Sequence, residues 1–393
     1  MGASLMRVSV DNRAVDLPGI GRFSTELTMA LLRRAGDPEV VALGPPTTGP
    51  GARVPGPSRR RGRRGPGGAS LGPAALAAPV GAVPVRSRPF GLAEQLELPR
   101  LLRRRAVDVH HATHLSVPRR SPVPVVLTVH DLFPLSHAGH ARSAAARAYY
   151  RAVLPSAVRS ADAVVAVSEF TAAELERVLG VRACAVIGHG VDHTAWSVIP
   201  DDAGDPEESL RLPCPYVLYV GTAKPHKNLA TLLAAYRRAS STLPPLVLAG
   251  PTVREANSLL PGSVAFGDSG SSPRVLALGR VPDRWLPTLY RGAAVVAVPS
   301  LYEGVGLAAL EAMSFGVPVV AADSPGLRDT VGDAAVLVPP TGLEAWAEAL
   351  ARMSDTSTQR AVVIARGLER AAAHRWDDVA ASYASVYASV ASG

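Results

Sequence analysis

Two glutamates, Glu303 and Glu311, stand in the segment LYEGVGLAALEAMSFGVPVVAAD with seven residues between them. The apolar run before Glu303 predicts a buried strand, and residues 307–314 predict a helix that a glycine and a proline end. Unpaired N–H groups at a helix start attract an anion, and glycines let a phosphate approach closely. Because carboxylates accept hydrogen bonds from hydroxyl groups, this spacing suits one ligand that carries phosphate together with a sugar or ribose.

A second group of candidate residues contains the only two lysines of the chain, Lys224 and Lys227. They follow the predicted strand PYVLYVGT and precede a predicted helix. An ammonium group at this position, added to the helix N-terminus, would hold a diphosphate. A solvated surface lysine is the alternative for each residue.

Histidines end two further predicted strands. His130, at the end of VPVVLTVHD, is placed to exchange a hydrogen bond with a transferred group. His110, His111 and His114 lie along the preceding strand. Alternation along an extended segment directs these three to different faces, which argues against a metal site. A structural role is the alternative for all four histidines.

The elements that must position these side chains alternate between strands and helices along 393 residues. This length allows two domains, and the alternation predicts doubly wound parallel sheets of the α/β class, with ligands beyond the strand C-termini. No run of about 18 apolar residues and no signal-peptide layout is visible, so we expect a cytoplasmic protein. Cys184 and Cys214 lack the spacing of a disulfide framework or a zinc site. Heavy use of alanine, arginine, glycine, proline and valine fits a GC-rich bacterial genome.

The pattern predicts a first domain over 1–195, with a mobile basic loop rich in glycine and proline at about 45–84. A polar linker at 196–213, a second domain over 214–372 and a closing helical segment over 373–393 complete the predicted organisation. The first strand is predicted over 7–15 and the last strand of the first domain over 183–192.

The segment Glu303-Gly304-Val305-Gly306-Leu307, followed by Glu311, closely resembles the signature of the retaining glycosyltransferases of family 4. Val305 replaces the usual aromatic residue of that signature. The downstream run from Pro325 to Ala335 is similar as well. The resemblance is to the group 1, mannosyltransferase-like members, which share the GT-B fold of two Rossmann-like domains facing a central cleft.

The resemblance implies roles for individual residues. Glu303 would contact the donor sugar, Glu311 the ribose of the nucleotide, and His130 the transferred sugar. Lys227 would bind the donor pyrophosphate. Thr222 stands where many members place an arginine after the strand glycine, Gly221, so Lys224 or Arg280 would supply a second phosphate contact. The loop Gly19-Ile20-Gly21-Arg22 resembles the glycine loop that approaches the diphosphate and frames the acceptor cleft.

The same resemblance implies that the first domain binds the acceptor and the second the nucleotide sugar. The closing helix, which contains His374-Arg375-Trp376, would cross back onto the first domain, with Trp376 near the hinge. Domain closure over the donor would assemble the site. The glycine loop is a poor match to a dinucleotide-binding fingerprint, because Ser24 occupies the position of the third glycine. This mismatch weakens the alternative that the protein is a nicotinamide dehydrogenase.

The reaction implied is transfer of a hexose, with mannose from GDP-mannose favoured, to a glycan, a lipid-linked or a small-molecule acceptor, as in polysaccharide biosynthesis. Retention of configuration comes from the resemblance. No Asp-x-Asp triplet occurs in the sequence, so we expect metal-independent transfer without a cofactor. A nucleotide-sugar epimerase or phosphorylase of the same fold, and a catalytically inactive scaffold, are the alternatives.

The net charge of +8 is nearly all arginine. Arginines cluster at 59–64 and again at Arg100, Arg103, Arg104 and Arg105, in the first predicted domain. Such a patch either docks peripherally on anionic lipid at the inner face of the plasma membrane or is a solvated loop. Interleaved aromatic residues and a known nucleic-acid module are both missing, so we expect no nucleic acid partner.

Overall fold

The structure, a computed structural model, describes residues 5–45 without 16, 18, 35 and 37, then 82–136, 144–191, 212–260 without 240, and 275–392. The arginine cluster at 59–64 and nearly all of the predicted linker lie outside these residues. The described chain divides into two compact units. The first contains residues up to Thr128, Ser156–Ala163 and Tyr383–Gly393, and the second contains Val129–Pro155 and Val164–Ser382.

Two parallel sheets form the framework, as the alternation of elements predicts. The first has seven strands in the order β3-β2-β1-β4-β5-β6-β7. Its strands are β1 (Arg7–Asp11), β2 (Glu39–Gly44), β3 (Val83–Pro84), β4 (Val109–Ala112), β5 (Val125–Val129), β6 (Ala163–Ala166) and β7 (Ala185–Val186). Buried valine, leucine and alanine side chains dominate its central strands, because a sheet covered on both faces favours continuous apolar runs.

The second sheet has six strands in the order β10-β9-β8-β11-β12-β13. They are β8 (Tyr216–Val220), β9 (Leu246–Ala249), β10 (Val275–Gly279), β11 (Ala293–Val298), β12 (Val319–Ala322) and β13 (Val336–Val338). Every residue of β11 is buried, which explains its uninterrupted apolar sequence AAVVAV. Both sheets therefore have the doubly wound order in which the direction of strand addition reverses in the middle.

Helices connect the strands of both sheets. In the first half of the chain they are α1 (Ile20–Arg33), α2 (Glu94–Arg104), α3 (Phe133–Ser136), α4 (Ala144–Arg159) and α5 (Glu169–Leu179). In the second half they are α6 (Leu229–Arg238), α7 (Val253–Leu259), α8 (Leu286–Arg291), α9 (Leu307–Ser314), α10 (Pro325–Val331), α11 (Leu343–Ser354), α12 (Thr358–Ala372) and α13 (Trp376–Ala391). The helix predicted over 307–314 has those bounds.

Two local predictions differ from the structure, and one helix was not predicted. The first strand ends at Asp11, because the Asp11 carboxylate accepts a hydrogen bond from the Arg13 N–H and turns the chain there. The strand predicted over 183–192 contains only the two residues of β7. Helix α2 was not predicted from the sequence, where its arginines were interpreted as a charge cluster.

The second half of helix α13 packs on residues of the first predicted domain, as the resemblance implied for the closing helix. Tyr387 Oη lies 2.8 Å from Nδ1 of His111, and Tyr383 Oη lies 2.8 Å from Oγ1 of Thr128. Phe23 of α1 contacts the ring of Tyr383 edge-on. Both tyrosines are fully buried, so these hydrogen bonds satisfy groups that water does not reach.

We predict that Tyr387→Phe lowers the free energy of unfolding by about 1–3 kcal/mol, because it leaves a nitrogen of the buried His111 ring without this partner. Thermal unfolding of the purified protein measures the change. Ser389→Ala, an exposed substitution on the same helix, is the matched control and should leave the midpoint unchanged. Equal midpoints for Tyr387→Phe and the control would contradict a stabilising role for this contact.

Candidate functional site

The candidate site lies at the carboxyl ends of β8 and β11, the two neighbouring strands where the order of the second sheet reverses. The loop after β8 contains residues 221–228, and the loop after β11 contains residues 299–306. Ligands of open parallel sheets bind beyond the strand ends at such a reversal point. Topology therefore brings together the two segments that the sequence singled out separately.

Glycines allow the loops at this edge to pack backbone against backbone. A Cβ on Gly304 would overlap the carbonyl oxygen of His130, and a Cβ on Gly326 would overlap the carbonyl oxygen of Glu303. A Cβ on Gly250 would likewise overlap the carbonyl oxygen of Gly221. The glycine after Glu303 thus places His130 against the 303–304 segment.

Lys227 and Glu303 form an ion pair at the centre of the site, with 2.6 Å between Nζ and Oε1. Both side chains are largely shielded, at 24% and 16% exposure. The Leu301 N–H donates a hydrogen bond of 2.8 Å to the carbonyl oxygen of His226, which holds the two loops together. Lys227 ends a short 3₁₀ turn, Pro225–Lys227, immediately before α6. The cation and carboxylate predicted for different parts of one ligand therefore contact each other directly.

Glu311 lies inside helix α9 and is buried, at 4% exposure, so it is not a solvated side chain on the helix surface. The hydroxyl of Tyr290 donates a hydrogen bond of 2.7 Å to its Oε2. The ring of Tyr290 in turn stacks on Phe315, with 12° between the ring planes. Gly306 begins the helix in the left-handed conformation, at φ 73°, and gives it no side-chain cap. The first N–H groups of α9 are therefore left without a capping side chain, as an anion site requires.

The remaining predicted phosphate contacts of the second unit follow two strands, β8 and β10. Lys224 and Arg280 are exposed, and Arg280 follows β10 directly. Oγ1 of Thr222 is buried without a hydrogen-bond partner among the described residues. Tyr219, on β8, donates to the carbonyl oxygen of Thr222, and burial, followed by the charge of Glu303, raises its pKa. Val305 is buried and Leu307 is partly buried, and both belong to the hydrophobic core of the second unit or pack against it.

Sequence reasoning missed Tyr302, which precedes Glu303 and fastens the loop. Its hydroxyl donates to Oε2 of Glu174 at 2.8 Å and accepts the Leu132 N–H at 3.2 Å. Burial, followed by the negative charges of Asp131 and Glu174, raises the pKa of Tyr302, so it stays a neutral donor. The feature of the sequence that could have indicated Tyr302 is its position directly before the candidate carboxylate Glu303.

His189 is a second residue that the sequence did not indicate. Its Nε2 lies 3.3 Å from Nδ1 of His130, and the two rings meet at 80°. His189 is buried, whereas His130 is partly exposed. His130 thus has one ring nitrogen engaged by a neighbour.

The first unit contains the predicted glycine loop and the other histidines. A Cβ on Gly21 would overlap the backbone of Val15, whereas one on Gly19, at φ 82°, would meet open space. His111 contacts Thr128 and Tyr387 through its two ring nitrogens, so it has the structural role that was the alternative.

Two other histidines of this unit lie beside a buried charge cluster. Arg13 bridges Asp11 and Glu94 there, with all three side chains at most 1% exposed. His110 is fully buried, and burial lowers its pKa to about 4. Burial lowers the pKa of His114 as well. Both rings are therefore neutral near neutral pH.

Within the part of the chain that the structure describes, no group of three or more histidine, cysteine, aspartate and glutamate side chains is arranged to hold a metal ion. No described helix is long and apolar enough to cross a membrane.

Two family profiles match successive parts of the chain. The profile described as "Glycosyltransferase Family 4" matches residues 18–195, and the one described as "Glycosyl transferases group 1" matches residues 214–356. Among curated proteins, a D-inositol 3-phosphate glycosyltransferase of Xylanimonas cellulosilytica is 31% identical over 287 residues, covering 68% of this chain and 67% of that protein. An O-antigen chain mannosyltransferase B of Escherichia coli is 30% identical over 170 residues. That match covers 42% of this chain and only 43% of the relative's length.

Solved structures share the fold at low sequence identity. A sucrose-phosphate synthase from Thermosynechococcus elongatus has a TM-score of 0.70 at 21% identity, covering 98% of both chains. Anabaena Alr3699/HepE, in complex with UDP and glucose, has a TM-score of 0.69 at 19% identity, covering 98% of this chain and 100% of that one. The two parallel-sheet domains are thus of the GT-B type, as the resemblance of the sequence implied.

We predict that Gly304→Ala destabilises the protein by about 1–3 kcal/mol, because the added methyl group must displace the carbonyl of His130. Thermal unfolding measures the loss. Gly188→Ala is the matched control, since a Cβ there meets only the carbonyl oxygen of Val167, at 3.8 Å. A Gly304→Ala protein as stable as the control would show that the two backbones do not approach this closely.

Proposed function

The chain belongs to family 4 of the glycosyltransferases, sugar-transferring enzymes of the EC 2.4 class, and from this membership we propose a specific reaction. The protein transfers a hexose from a nucleotide sugar to a hydroxyl group, with retention of anomeric configuration and without a metal ion. The observation that carries the proposal is the placement of Lys227, Glu303 and the uncapped start of α9 at the two strand ends of the reversal point.

The donor's nucleoside diphosphate suits the charges of this edge. Lys227 and the N–H groups that begin α9 offer positive charge to the two phosphates. Glu311, buried behind them, accepts hydrogen bonds from ribose hydroxyls. Thr222 and the exposed Lys224 and Arg280 are the further phosphate contacts we propose, with the buried Thr222 hydroxyl taking the place of an arginine.

The reaction breaks the bond between the anomeric carbon and the diphosphate oxygen and forms a bond from the same face to the acceptor oxygen. Charge grows on the leaving phosphate, where Lys227 stabilises it, and the sugar becomes positively charged, which the carboxylate of Glu303 stabilises. The acceptor's proton passes to the leaving phosphate. His130 hydrogen-bonds the sugar being transferred. Glu303 is therefore an electrostatic partner and not a covalent nucleophile.

Metal-independent transfer is supported by the sequence, which contains no Asp-x-Asp triplet to clamp a cation on the diphosphate. Positive charge at the phosphates comes instead from Lys227 and the helix start, which do the electrostatic work of a cation.

Mannose is the proposed sugar and GDP-mannose the proposed donor. The stretch from Gly221 to Asn228, with Pro225-His226-Lys227-Asn228 at its end, is similar to members that use GDP-mannose. One relative is named as a mannosyltransferase, which supports the choice, while another is named as a D-inositol 3-phosphate glycosyltransferase. We propose a glycan, a glycolipid or a small metabolite as the acceptor, bound by the first predicted domain, 1–195.

A direct test is binding and turnover of GDP-mannose, UDP-glucose, UDP-N-acetylglucosamine and dTDP-sugars by the purified protein with EDTA present. We expect saturable binding of one nucleotide sugar, and slow release of its sugar, without added metal. Glu311→Gln should weaken donor binding about tenfold or more, since it removes a charged acceptor for ribose hydroxyls. Glu303→Gln should retain binding and lose turnover.

The control for this test is Glu348→Gln, which removes a carboxylate from helix α11. An absolute requirement for a divalent cation would overturn metal independence. Binding without any transfer, together with epimerisation or phosphorolysis of the sugar, would favour a GT-B enzyme of another reaction class. No binding of any nucleotide would point to an inactive scaffold.

We further propose that the first unit contacts anionic lipid through the N-terminal end of α2. Leu92 and Leu96 are 90% and 60% exposed, and Phe90 beside them is 46% exposed. Arg100 and Arg103 follow Leu96 along one face of the helix and are exposed too. Apolar side chains next to guanidinium groups suit the interface of an anionic bilayer, where a lipid-linked acceptor resides.

We predict sedimentation of the protein with vesicles that contain phosphatidylglycerol and not with pure phosphatidylcholine vesicles. The double substitution Leu92→Ser and Leu96→Ser should weaken binding several-fold, and salt should weaken it further. Leu368→Ser, which makes the same substitution at an exposed leucine on helix α12, is the control. Binding that the double substitution leaves unchanged would rule out this surface.

A further inference from the structure

His189 contacts the histidine that we place at the transferred sugar. Its Nε2 lies 3.3 Å from Nδ1 of His130, and the ring centroids are 5.4 Å apart. His189 is 6% exposed, so its side chain is enclosed by protein. Since one nitrogen of each ring is used in this contact, the hydrogen bond couples the proton position on one ring to that on the other.

The start of helix α13 holds His189 in place. The ring of Trp376 lies 6.3 Å from that of His189, at an interplanar angle of 29°. Gly190 fits because it lacks a side chain, since a Cβ there would contact the Trp376 ring at 2.6 Å. The Val191 N–H donates to the carbonyl oxygen of His374 at 2.7 Å. Residues 189–191 are therefore fixed by backbone and ring contacts on one side.

Contacts on another side fix the backbone of His130. Its carbonyl oxygen abuts Gly304 and accepts a hydrogen bond of 3.5 Å from Oγ1 of Thr171. The Leu132 N–H, two residues on, donates to Tyr302. With the backbone fixed in this way, the orientation of the His130 ring and its tautomer depend on contacts to the ring itself.

We propose that His189 is a positioning residue that fixes the ring orientation and the tautomer of His130, so that Nε2 of His130 meets the transferred sugar in one tautomer and one orientation. The proposal rests on the proposed function, because it assigns Nε2 of His130 to the donor sugar. Trp376 acts one step further away by orienting His189. A hydrogen-bonding partner that fixes the tautomer of a working histidine is a recurrent device in enzyme sites.

The first test is independent of any substrate. Long-range proton–nitrogen correlation spectra of protein labelled at its ten histidines report the tautomer of each ring. His130 is assigned by the signal that disappears in His130→Gln. We expect a single tautomer for His130 in the wild type, a mixture of both in His189→Leu, and a single tautomer again in His189→Gln, whose amide can hydrogen-bond at a similar place. An unchanged His130 signal in His189→Leu would overturn the proposal.

The second test is kinetic, with the donor that the screen identifies. His189→Leu should lower kcat about tenfold and change the KM for the donor by less than about twofold, because His189 acts through His130 without touching the donor. His189→Gln should recover most of the loss. Trp376→Leu should repeat the effect of His189→Leu, whereas Trp376→Phe, which keeps a ring face, should not.

The two tests separate failure of the inference from failure of the proposed function. A merely structural role of His189 would lower the unfolding midpoint while leaving kcat and the His130 tautomer unchanged, and this result would overturn the inference. A wild-type protein with no transfer from any nucleotide sugar would overturn the proposed function. The spectra would still decide whether His189 fixes the His130 ring.

Discussion

Close approach between backbones at the strand ends is the constraint on which the candidate site depends. Three carbonyl groups, those of His130, Gly221 and Glu303, occupy the volume that a side chain on a facing glycine would need. A contact between two backbones cannot be relieved by rotating a side chain. The loops that make these contacts therefore have little freedom to change conformation. The geometry of the side chains that follow is therefore set before any ligand arrives, which is how a preorganised electrostatic site lowers its reorganisation cost.

The ion pair between Lys227 and Glu303 has a different consequence in such a rigid frame. A shielded charge without a partner is costly, and each of these two charges neutralises the other across 2.6 Å. In the proposed reaction, a diphosphate that binds Lys227 adds negative charge beside Glu303. The ammonium group of Lys227 then interacts with both the diphosphate and Glu303. A positive charge that develops on the sugar then compensates Glu303. In the reaction we propose, the charges of the site are therefore balanced before the donor binds and balanced again in the transition state, an arrangement that would favour the transition state over the bound donor.

The sequence predicted those parts of the molecule that have a local signature. Residues 307–314 form the predicted helix because glycine and proline bound a short run of helix formers, and the buried strands follow from their apolar runs. The candidate residues Lys227, Glu303 and Glu311 were singled out because they stand in the loop or the helix that follows such a strand. Helix α2 was missed because Pro99 and its arginines conceal the apolar spacing. The short β7 was overestimated because apolar residues continue beyond the two that pair.

Contacts between distant segments had no such signature. Tyr302 and Leu132 meet across 170 residues of sequence, and His189 and His130 across 59. Nothing in the neighbourhood of either residue indicates its partner, because the pairing is determined by the order of strands in a sheet. A carboxylate and a lysine were recognisable by their chemistry, whereas a tyrosine and a histidine that hold other residues in place were recognisable only from the fold.

Two histidines show how position in the fold separates a structural role from a chemical one. His111 and His130 both lie at the carboxyl ends of neighbouring strands, β4 and β5. His111 is buried, and both of its ring nitrogens contact hydroxyl groups within 2.8 Å, so it has no nitrogen to offer a substrate. His130 is partly exposed, and its Nδ1 faces another histidine. The residue type suggested chemistry for both, and the surroundings of His111 assign it a structural role, whereas those of His130 are compatible with the role we propose for it.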